Sequence, residues 1–131
     1  MAISIKGEWK STITPVQGPE IVETFDIDDE TAPSTGAFTG TYHPDGAADF
    51  AIKGKYTRGS GTTKDHMKFD GTQIDNTGKK KTKRTFNGDV VPVASDAETN
   101  DGKHHKDILP LTKKKKKLID PDDDWLGTHT T

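Results

Sequence analysis

The 131-residue chain contains no cysteine. This absence excludes a disulfide framework, thiol catalysis and any zinc site built on thiolates. Long apolar runs are also missing, and a transmembrane helix needs about 20 consecutive apolar residues. Residues Met1–Lys10 lack the apolar stretch of a signal peptide, so we expect a cytoplasmic protein.

Hydrophobic residues are scarce, at 28% of the chain against 31% charged. Such a composition approaches that of disordered proteins, which also carry a large net charge. Here 19 basic and 21 acidic residues leave a net charge of only −2. We therefore predict one folded domain over residues 1–131 with a small core. The chain has 4 leucines against 19 threonines and 13 glycines, which excludes a helical bundle.

Apolar and polar residues alternate along eight short segments, as they do in strands with one dry face and one wet face. These segments are Ile3–Trp9, Ile21–Ile27, Phe38–Tyr42, Phe50–Tyr56, Met67–Phe69, Phe86–Val90, Leu109–Leu111 and a short one at Trp125. Turn residues separate them, for example Pro44-Asp45-Gly46 and Asn100-Asp101-Gly102. The pattern predicts an all-β fold, a single eight-stranded antiparallel up-and-down β-barrel, because closure removes exposed strand edges.

Glycines and aromatic residues share strand faces. The pairs lie two positions apart, at Gly7/Trp9, Phe38/Gly40/Tyr42, Gly54/Tyr56, Phe69/Gly71 and Phe86/Gly88. A small barrel needs large and small side chains together in its interior, and inward glycines let strands coil. We therefore expect both residue types to face the centre of the barrel.

Several short motifs resemble the avidin and streptavidin family of calycin barrels. Gly7-Glu8-Trp9 resembles the Gly-x-Trp opening of calycins, and the run Gly36–Tyr42 (GAFTGTY) resembles an avidin strand in which Thr-Gly-Thr-Tyr is typical. Weaker similarities follow in order over most of the chain, at Ile52–Tyr56, Thr85–Gly88, Leu109–Thr112 and Asp124-Trp125. The resemblance implies a barrel like those of streptavidin and the lipocalins.

The resemblance also implies roles for single residues. Tyr42 matches the tyrosine that donates to the ureido oxygen of biotin, and Trp125 matches the tryptophan that the family lends to a neighbouring subunit's pocket. Ser11 occupies the region of an asparagine ligand, whereas Phe86 and Leu109 stand where the family has pocket tryptophans. Such replacements remove hydrogen bonds and apolar contact, so we expect biotin to change the melting temperature little.

Catalytic and metal-binding motifs do not emerge. The serines lie outside a Gly-x-Ser-x-Gly elbow, and Arg58–Lys64 lacks the spacing of a phosphate-binding loop. Adjacent histidines at 104 and 105 would point to opposite faces of a strand, and histidines in exposed polar turns are ordinarily solvated. The acidic stretches Asp26–Glu30 and Asp120–Asp124 lack the glycine and the distant glutamate of a calcium loop. We predict a non-catalytic protein with no metal and no cofactor.

Two basic clusters support an alternative function. One holds Lys79, Lys80, Lys81, Lys83 and Arg84, and the other holds Lys113, Lys114, Lys115, Lys116 and Lys117. Such clusters can neutralise phosphates, so the barrel could be a scaffold whose lysine-rich loops bind nucleic acid or another polyanion. No aromatic residue is interleaved with the lysines for base stacking, and an acidic run follows the second cluster.

Our first hypothesis is a non-catalytic binding barrel for a small apolar or amphipathic ligand or a segment of a protein partner. Its predicted ligand-binding residues line the barrel mouth: Ser11, Tyr42, Tyr56, Phe69, Phe86, Leu109 and Trp125. The aromatic walls would desolvate the ligand, while the hydroxyls of Tyr42 and Ser11 would orient it. A small core also favours a homo-oligomer, since subunit contacts would bury further surface.

Overall fold

The structure is a computed structural model that describes residues 5–15, 18–30, 36–60, 62, 64–74, 81–93, 96–109 and 123–130. Eight β-strands make up most of this part of the chain. Their bounds are β1 Gly7–Thr14, β2 Ile21–Glu30, β3 Ala37–His43, β4 Phe50–Thr57, β5 Asp65–Ile74, β6 Lys81–Val93, β7 Asp96–Leu109 and β8 Asp123–Thr130. The described residues include no helix that is long and apolar enough to cross a membrane.

The eight strands form a closed barrel in sequence order. Each strand pairs antiparallel with the next, and β1 pairs with β8 to complete the circle. The predicted eight-stranded antiparallel up-and-down barrel is therefore confirmed. Closure gives every strand two hydrogen-bonded neighbours, which protects strands as short as seven residues from pairing with other chains.

Side chains alternate between the interior and the exterior, as the sequence period predicted. In β1, Trp9 and Ile13 are buried whereas Lys10 between them is exposed. The four rings on which the barrel prediction depended are all buried, with at most 8% of their surface exposed: Trp9, Phe38, Tyr56 and Phe86. The aromatic residues thus share one apolar interior, as expected.

The centre of the barrel is filled by aromatic rings in direct contact. Phe69 lies in the middle, with its ring centroid 4.9 Å from that of Phe25 and 4.8 Å from that of Phe86. Trp125 meets Phe69 edge-on at 5.6 Å. Contacts of this geometry contribute about 0.5–1.5 kcal/mol each beyond the burial of area. They compensate for the small number of aliphatic residues.

Inward glycines give these rings their space. A Cβ atom added at Gly54 would lie 2.5 Å from Cβ of Phe69 and 2.7 Å from Cζ of Phe38. Real Cβ atoms do not approach other carbons this closely, so only glycine fits beside the two rings. The pairing of glycine with aromatic residues in the sequence therefore reflects packing across neighbouring strands.

The seventh strand differs from the prediction. Asn100-Asp101-Gly102, predicted to be a hairpin turn, lies inside β7, which runs from Asp96 to Leu109. The prediction of a turn was wrong because Gly102 serves packing: it lies opposite Trp125, and a Cβ atom there would meet Cε3 of that indole at 2.9 Å. Leu111, predicted in the same strand, lies outside the described residues.

Candidate functional site

One end of the barrel carries a group of hydrogen-bonded side chains, all of them buried except the half-buried Gln73. The strands β1, β3, β5 and β7 end here and β2, β4, β6 and β8 begin here, and we call it the polar end. The polar cluster consists of seven residues from seven strands: Ser11, Glu23, Tyr42, Gln73, Arg84, His104 and Trp125. The up-and-down topology brings them together because each strand either begins or ends at this end of the barrel.

An ion pair forms the centre of the polar cluster. Nη2 of Arg84 donates to Oε1 of Glu23 at 2.8 Å, and both side chains are only 4% exposed. The guanidinium also lies over the ring of Tyr42, 4.9 Å from its centroid, and near that of Phe86 at 5.3 Å. Aromatic faces attract a cation in this position. The charge of Arg84 is thus compensated by a carboxylate and two rings inside the barrel.

A chain of hydrogen bonds leads from the indole of Trp125 to this carboxylate. The Tyr42 hydroxyl donates to Oε1 of Glu23 at 2.7 Å, which uses its only proton. The Ser11 hydroxyl, 2.8 Å away, must therefore donate to the Tyr42 oxygen, and it accepts from Nε1 of Trp125 at 2.9 Å. All protons of these hydroxyl and indole groups are committed within the cluster.

Arg84 has further partners on its other nitrogens. Nη1 donates to Oε1 of Gln73 at 2.9 Å, and Nε donates to Nε2 of His104 at 3.0 Å. Since Nε2 of His104 accepts this bond, the ring proton belongs on Nδ1, which lies 3.9 Å from Oδ2 of Asp123. His104 is fully buried and stacks on Phe86 at 4.5 Å. His104 therefore lies on a strand and inside the barrel, unlike a solvated histidine of an exposed turn.

The electrostatics of the cluster keep Glu23 ionised. Burial alone would raise the pKa of its carboxyl, but the hydrogen bond and the charge of Arg84 outweigh burial. Hydrogen bonds from Tyr42 and from the backbone amide of Asp45, the latter 2.8 Å from Oε2, add to this effect. The pKa of Glu23 therefore lies below its ordinary value. Burial raises the pKa of Tyr42 well above its ordinary range, so its hydroxyl stays a neutral donor.

Strand register explains why these side chains meet. Ser11 lies directly opposite Glu23 on β2, and Gly127 of β8 lies on its other side. Gly71 of β5 lies opposite Arg84, and a Cβ atom there would meet the ring of Phe50 at 2.6 Å. Cross-strand neighbours of this kind lie about 4.5–5.5 Å apart, within reach of direct hydrogen bonds.

The structure brings some of the predicted ligand-binding residues together and separates others. Ser11, Tyr42 and Trp125 belong to the polar cluster, and Phe86 contacts it through the rings of Tyr42 and His104. Phe69 lies deeper, in the middle of the aromatic core.

Tyr56 lies at the opposite end of the barrel, where its hydroxyl donates to Oδ2 of Asp65 at 2.5 Å. The structure therefore does not bring Tyr56 together with Ser11 and Tyr42. Leu109 ends β7 opposite Lys81, and its side chain lies outside the described residues.

The first basic cluster is divided by the alternation of β6. Arg84, grouped with its lysine neighbours in the polyanion hypothesis, points into the barrel and is unavailable to a polyanion. Lys81 is exposed and Lys83 is half-buried, since both lie on the opposite face of β6 from Arg84. Lys79, Lys80 and the second cluster, Lys113–Lys117, lie outside the described residues.

Sequence reasoning missed four members of the polar cluster as ligand-binding residues: Glu23, Gln73, Arg84 and His104. The sequence signal for two of them was their position in the alternation of inward and outward residues along a strand. Glu23 lies two positions before Phe25, and Arg84 lies two positions before Phe86, so each shares the inward face of its strand. A negative and a positive residue, both inward and both near the start of an even-numbered strand, would predict a buried pair at one end. Arg84 was assigned to a charged run instead.

In the described ranges, His, Asp and Glu side chains form no group of three that could hold a metal ion. Trp125, which the family resemblance assigned to a neighbouring subunit's pocket, packs inside its own barrel with its indole bonded to Ser11.

Comparisons with known proteins found no matching family model, no matching curated protein and no matching solved structure.

Proposed function

We propose that this protein is a non-catalytic barrel that binds a small amphipathic ligand at the polar end. The proposal follows the resemblance to ligand-binding calycins only in architecture. The polar cluster supplies hydrogen-bonding groups, and the aromatic rings below it supply an apolar wall. Binding sites for small molecules ordinarily combine these two features.

The observation that carries the proposal is a buried ion pair inside a barrel that has few apolar residues to spare. Four further hydrogen-bonded side chains are buried with it: Ser11, Tyr42, His104 and Trp125. A buried ion pair adds little net stability over apolar residues of the same size. Its presence at one end of the interior, beside Tyr42, Ser11 and Trp125, supports a role in recognition.

The aromatic residues beneath the cluster support the amphipathic character of the ligand. Phe86 contacts Tyr42 at 4.9 Å and Trp125 at 5.3 Å, so one apolar surface lies directly under the polar groups. A ligand with one polar group and one apolar body would place each against its match.

Binding can be tested with N-phenyl-1-naphthylamine, an uncharged amphipathic dye whose fluorescence rises when it leaves water. We expect saturable binding of one dye per chain. Trp125→Phe should weaken it by about threefold to tenfold, because the smaller ring loses contact area and the hydrogen bond to Ser11.

The chain offers a matched control for this experiment. Trp9 is equally buried, but it lies toward the opposite end, stacked on His129 at 4.8 Å. Trp9→Phe should leave dye affinity unchanged within about twofold, even if it lowers stability. Equal effects of the two substitutions, or the absence of saturable binding, would contradict the proposed function.

A further inference from the structure

The hydrogen-bonding capacity of Arg84 is only partly used. A guanidinium has five N–H hydrogens. Three of them bond to Glu23, Gln73 and His104. Among the described residues no acceptor uses the remaining hydrogen on Nη1 or the one on Nη2. Arg84 is 97% buried, since only 3% of its surface is exposed, so two strong donors lie in an environment where unused donors are costly.

The neighbouring groups do not satisfy these two donors. The Tyr42 oxygen accepts from Ser11, and its own proton goes to Glu23. Oε2 of Glu23 accepts from the backbone amide of Asp45 at 2.8 Å. Although a carboxylate oxygen can accept more than one hydrogen bond, neither Oε2 of Glu23 nor the Tyr42 oxygen accepts from the second hydrogen of Nη1 or Nη2. Both hydrogens are therefore available to an acceptor from outside the cluster.

The charge balance decides what kind of acceptor fits. Arg84 carries one positive charge and Glu23 one negative charge, and they are 2.8 Å apart. His104 is neutral here, because its Nε2 accepts a hydrogen bond from Arg84. The residues of the polar cluster therefore carry no net charge, and the carboxylate of Asp123 lies at its border, 3.9 Å from Nδ1 of His104. A second carboxylate would leave an uncompensated negative charge in a poorly hydrated site, which is strongly unfavourable.

We infer that the ligand of the polar end is an uncharged molecule whose carbonyl oxygen accepts the two unused N–H hydrogens of Arg84, with its apolar body against the neighbouring rings. A carbonyl oxygen has two lone pairs and adds no charge. The inference rests on the proposed function and deepens it by naming the ligand class. Arg84 acts as the donor that selects the ligand, whereas Glu23 sets the charge that the ligand must carry.

Three compounds with one naphthalene body and different heads test this inference: 2-acetylnaphthalene, its isostere 2-isopropylnaphthalene, and 2-naphthoate. Their affinities are measured near neutral pH by displacement of N-phenyl-1-naphthylamine. We expect 2-acetylnaphthalene to bind about tenfold tighter than either of the others, as a hydrogen bond to a charged donor predicts. This comparison uses the unmutated chain, so it decides the question even if a variant fails to fold.

Two variants test whether the preference for 2-acetylnaphthalene depends on the ion pair of Arg84 and Glu23. Arg84→Lys keeps the charge but loses the fork of donors, and it should reduce the preference for the ketone to within about twofold. Arg58→Lys is the matched control, since Arg58 is the chain's other arginine and is exposed after β4, at the opposite end. Glu23→Gln leaves the guanidinium uncompensated, so 2-naphthoate should gain about tenfold relative to the ketone.

Failure of the inference and failure of the proposed function give different results. If 2-naphthoate or the isopropyl compound binds best to the unmutated chain, the ligand class is wrong while binding at the polar end stands. The same holds if the preference for the ketone survives Arg84→Lys. If neither the dye nor any of the three compounds binds, the proposed function itself is wrong.

Discussion

At the scale of single residues, Glu23 and Arg84 have the largest consequences. Each is buried with an opposite charge beside it, so neither side chain can be removed without leaving the other unpaired in the interior. Losing one partner of such a pair costs far more free energy than the pair contributes over apolar residues. This asymmetry gives a clear prediction for stability.

Arg84→Met should lower the free energy of unfolding by about 3–5 kcal/mol, because Glu23 is left as an uncompensated buried charge. The double variant Glu23→Leu/Arg84→Met should recover most of that loss. Urea denaturation followed by circular dichroism measures both. The control Lys83→Met, on the outward face of β6, should change stability by less than about 0.5 kcal/mol. A double variant as unstable as Arg84→Met would contradict the ion-pair account.

His43 gives the chain a pH-dependent contribution. Its Nε2 lies 2.7 Å from Oδ2 of Asp26, and its Nδ1 lies 3.0 Å from Oδ2 of Asp49. The hydrogen bond to Asp26 raises the pKa of His43, and Asp49 adds to this effect against the opposing influence of burial. The folded state therefore stabilises the positively charged form of His43 more than the unfolded chain does.

A raised pKa means stabilisation that is complete below the ordinary histidine value of 6.5 and is lost as the pH rises through the raised pKa of His43. The unmutated chain should therefore exceed His43→Gln in stability at about pH 6 and lose that advantage by about pH 9. We expect about 0.5 kcal/mol, because a side chain 35% exposed is screened by water and salt. An equal stability difference between the unmutated chain and His43→Gln at both pH values would show that the charged form of His43 does not contribute.

At the scale of elements, the strands follow from two simple features of the sequence. The alternation gives each strand an apolar face, and glycines at inward positions allow large rings from neighbouring strands to overlap. Gly54 is the best example, since its position beside Phe38 and Phe69 leaves no room for a methyl group. The barrel therefore depends on small residues as much as on large ones.

Gly54→Ala should lower the free energy of unfolding by about 1–3 kcal/mol, the usual cost of overpacking a well-packed core. The neighbouring substitution Lys55→Ala lies on the exposed face of β4 and should change it by less than about 0.5 kcal/mol. Thermal unfolding of the two variants side by side provides the measurement. If both variants melt with the parent chain, the inward glycine has no packing role.

The same elements show how far sequence reasoning reaches here. The period of two in β3 and β4 predicted their buried faces, because the inward positions of each carry only apolar residues and glycine. In β7 the interior positions are Thr99, Gly102 and His104, which carry no apolar stripe, and the turn-like residues nearby suggested a hairpin. Glu23 and Arg84 were not predicted as a pair, since their partnership depends on tertiary contact between strands 61 residues apart in the chain.

At the scale of the whole molecule, the two ends of the barrel differ in chemistry. The polar end holds the ion pair and the committed hydroxyls, whereas Trp9 and His129 stack against each other toward the opposite end. The register of β1 with β8 places Trp9 beside His129 and Trp125 beside Ile13, four residues along the strand. The two tryptophans are thus separated by about 13 Å along β1 and report on different ends.

The central claim is that a ligand binds at the polar end. It is tested most directly by the two indole N–H signals in a nitrogen–proton correlation spectrum, with each tryptophan assigned by substitution. On titration with N-phenyl-1-naphthylamine, the signal of Trp125 should shift and saturate, because its N–H belongs to the polar cluster, while that of Trp9 should stay in place. A shift of the Trp9 signal alone, or no shift at saturating dye, would contradict the account.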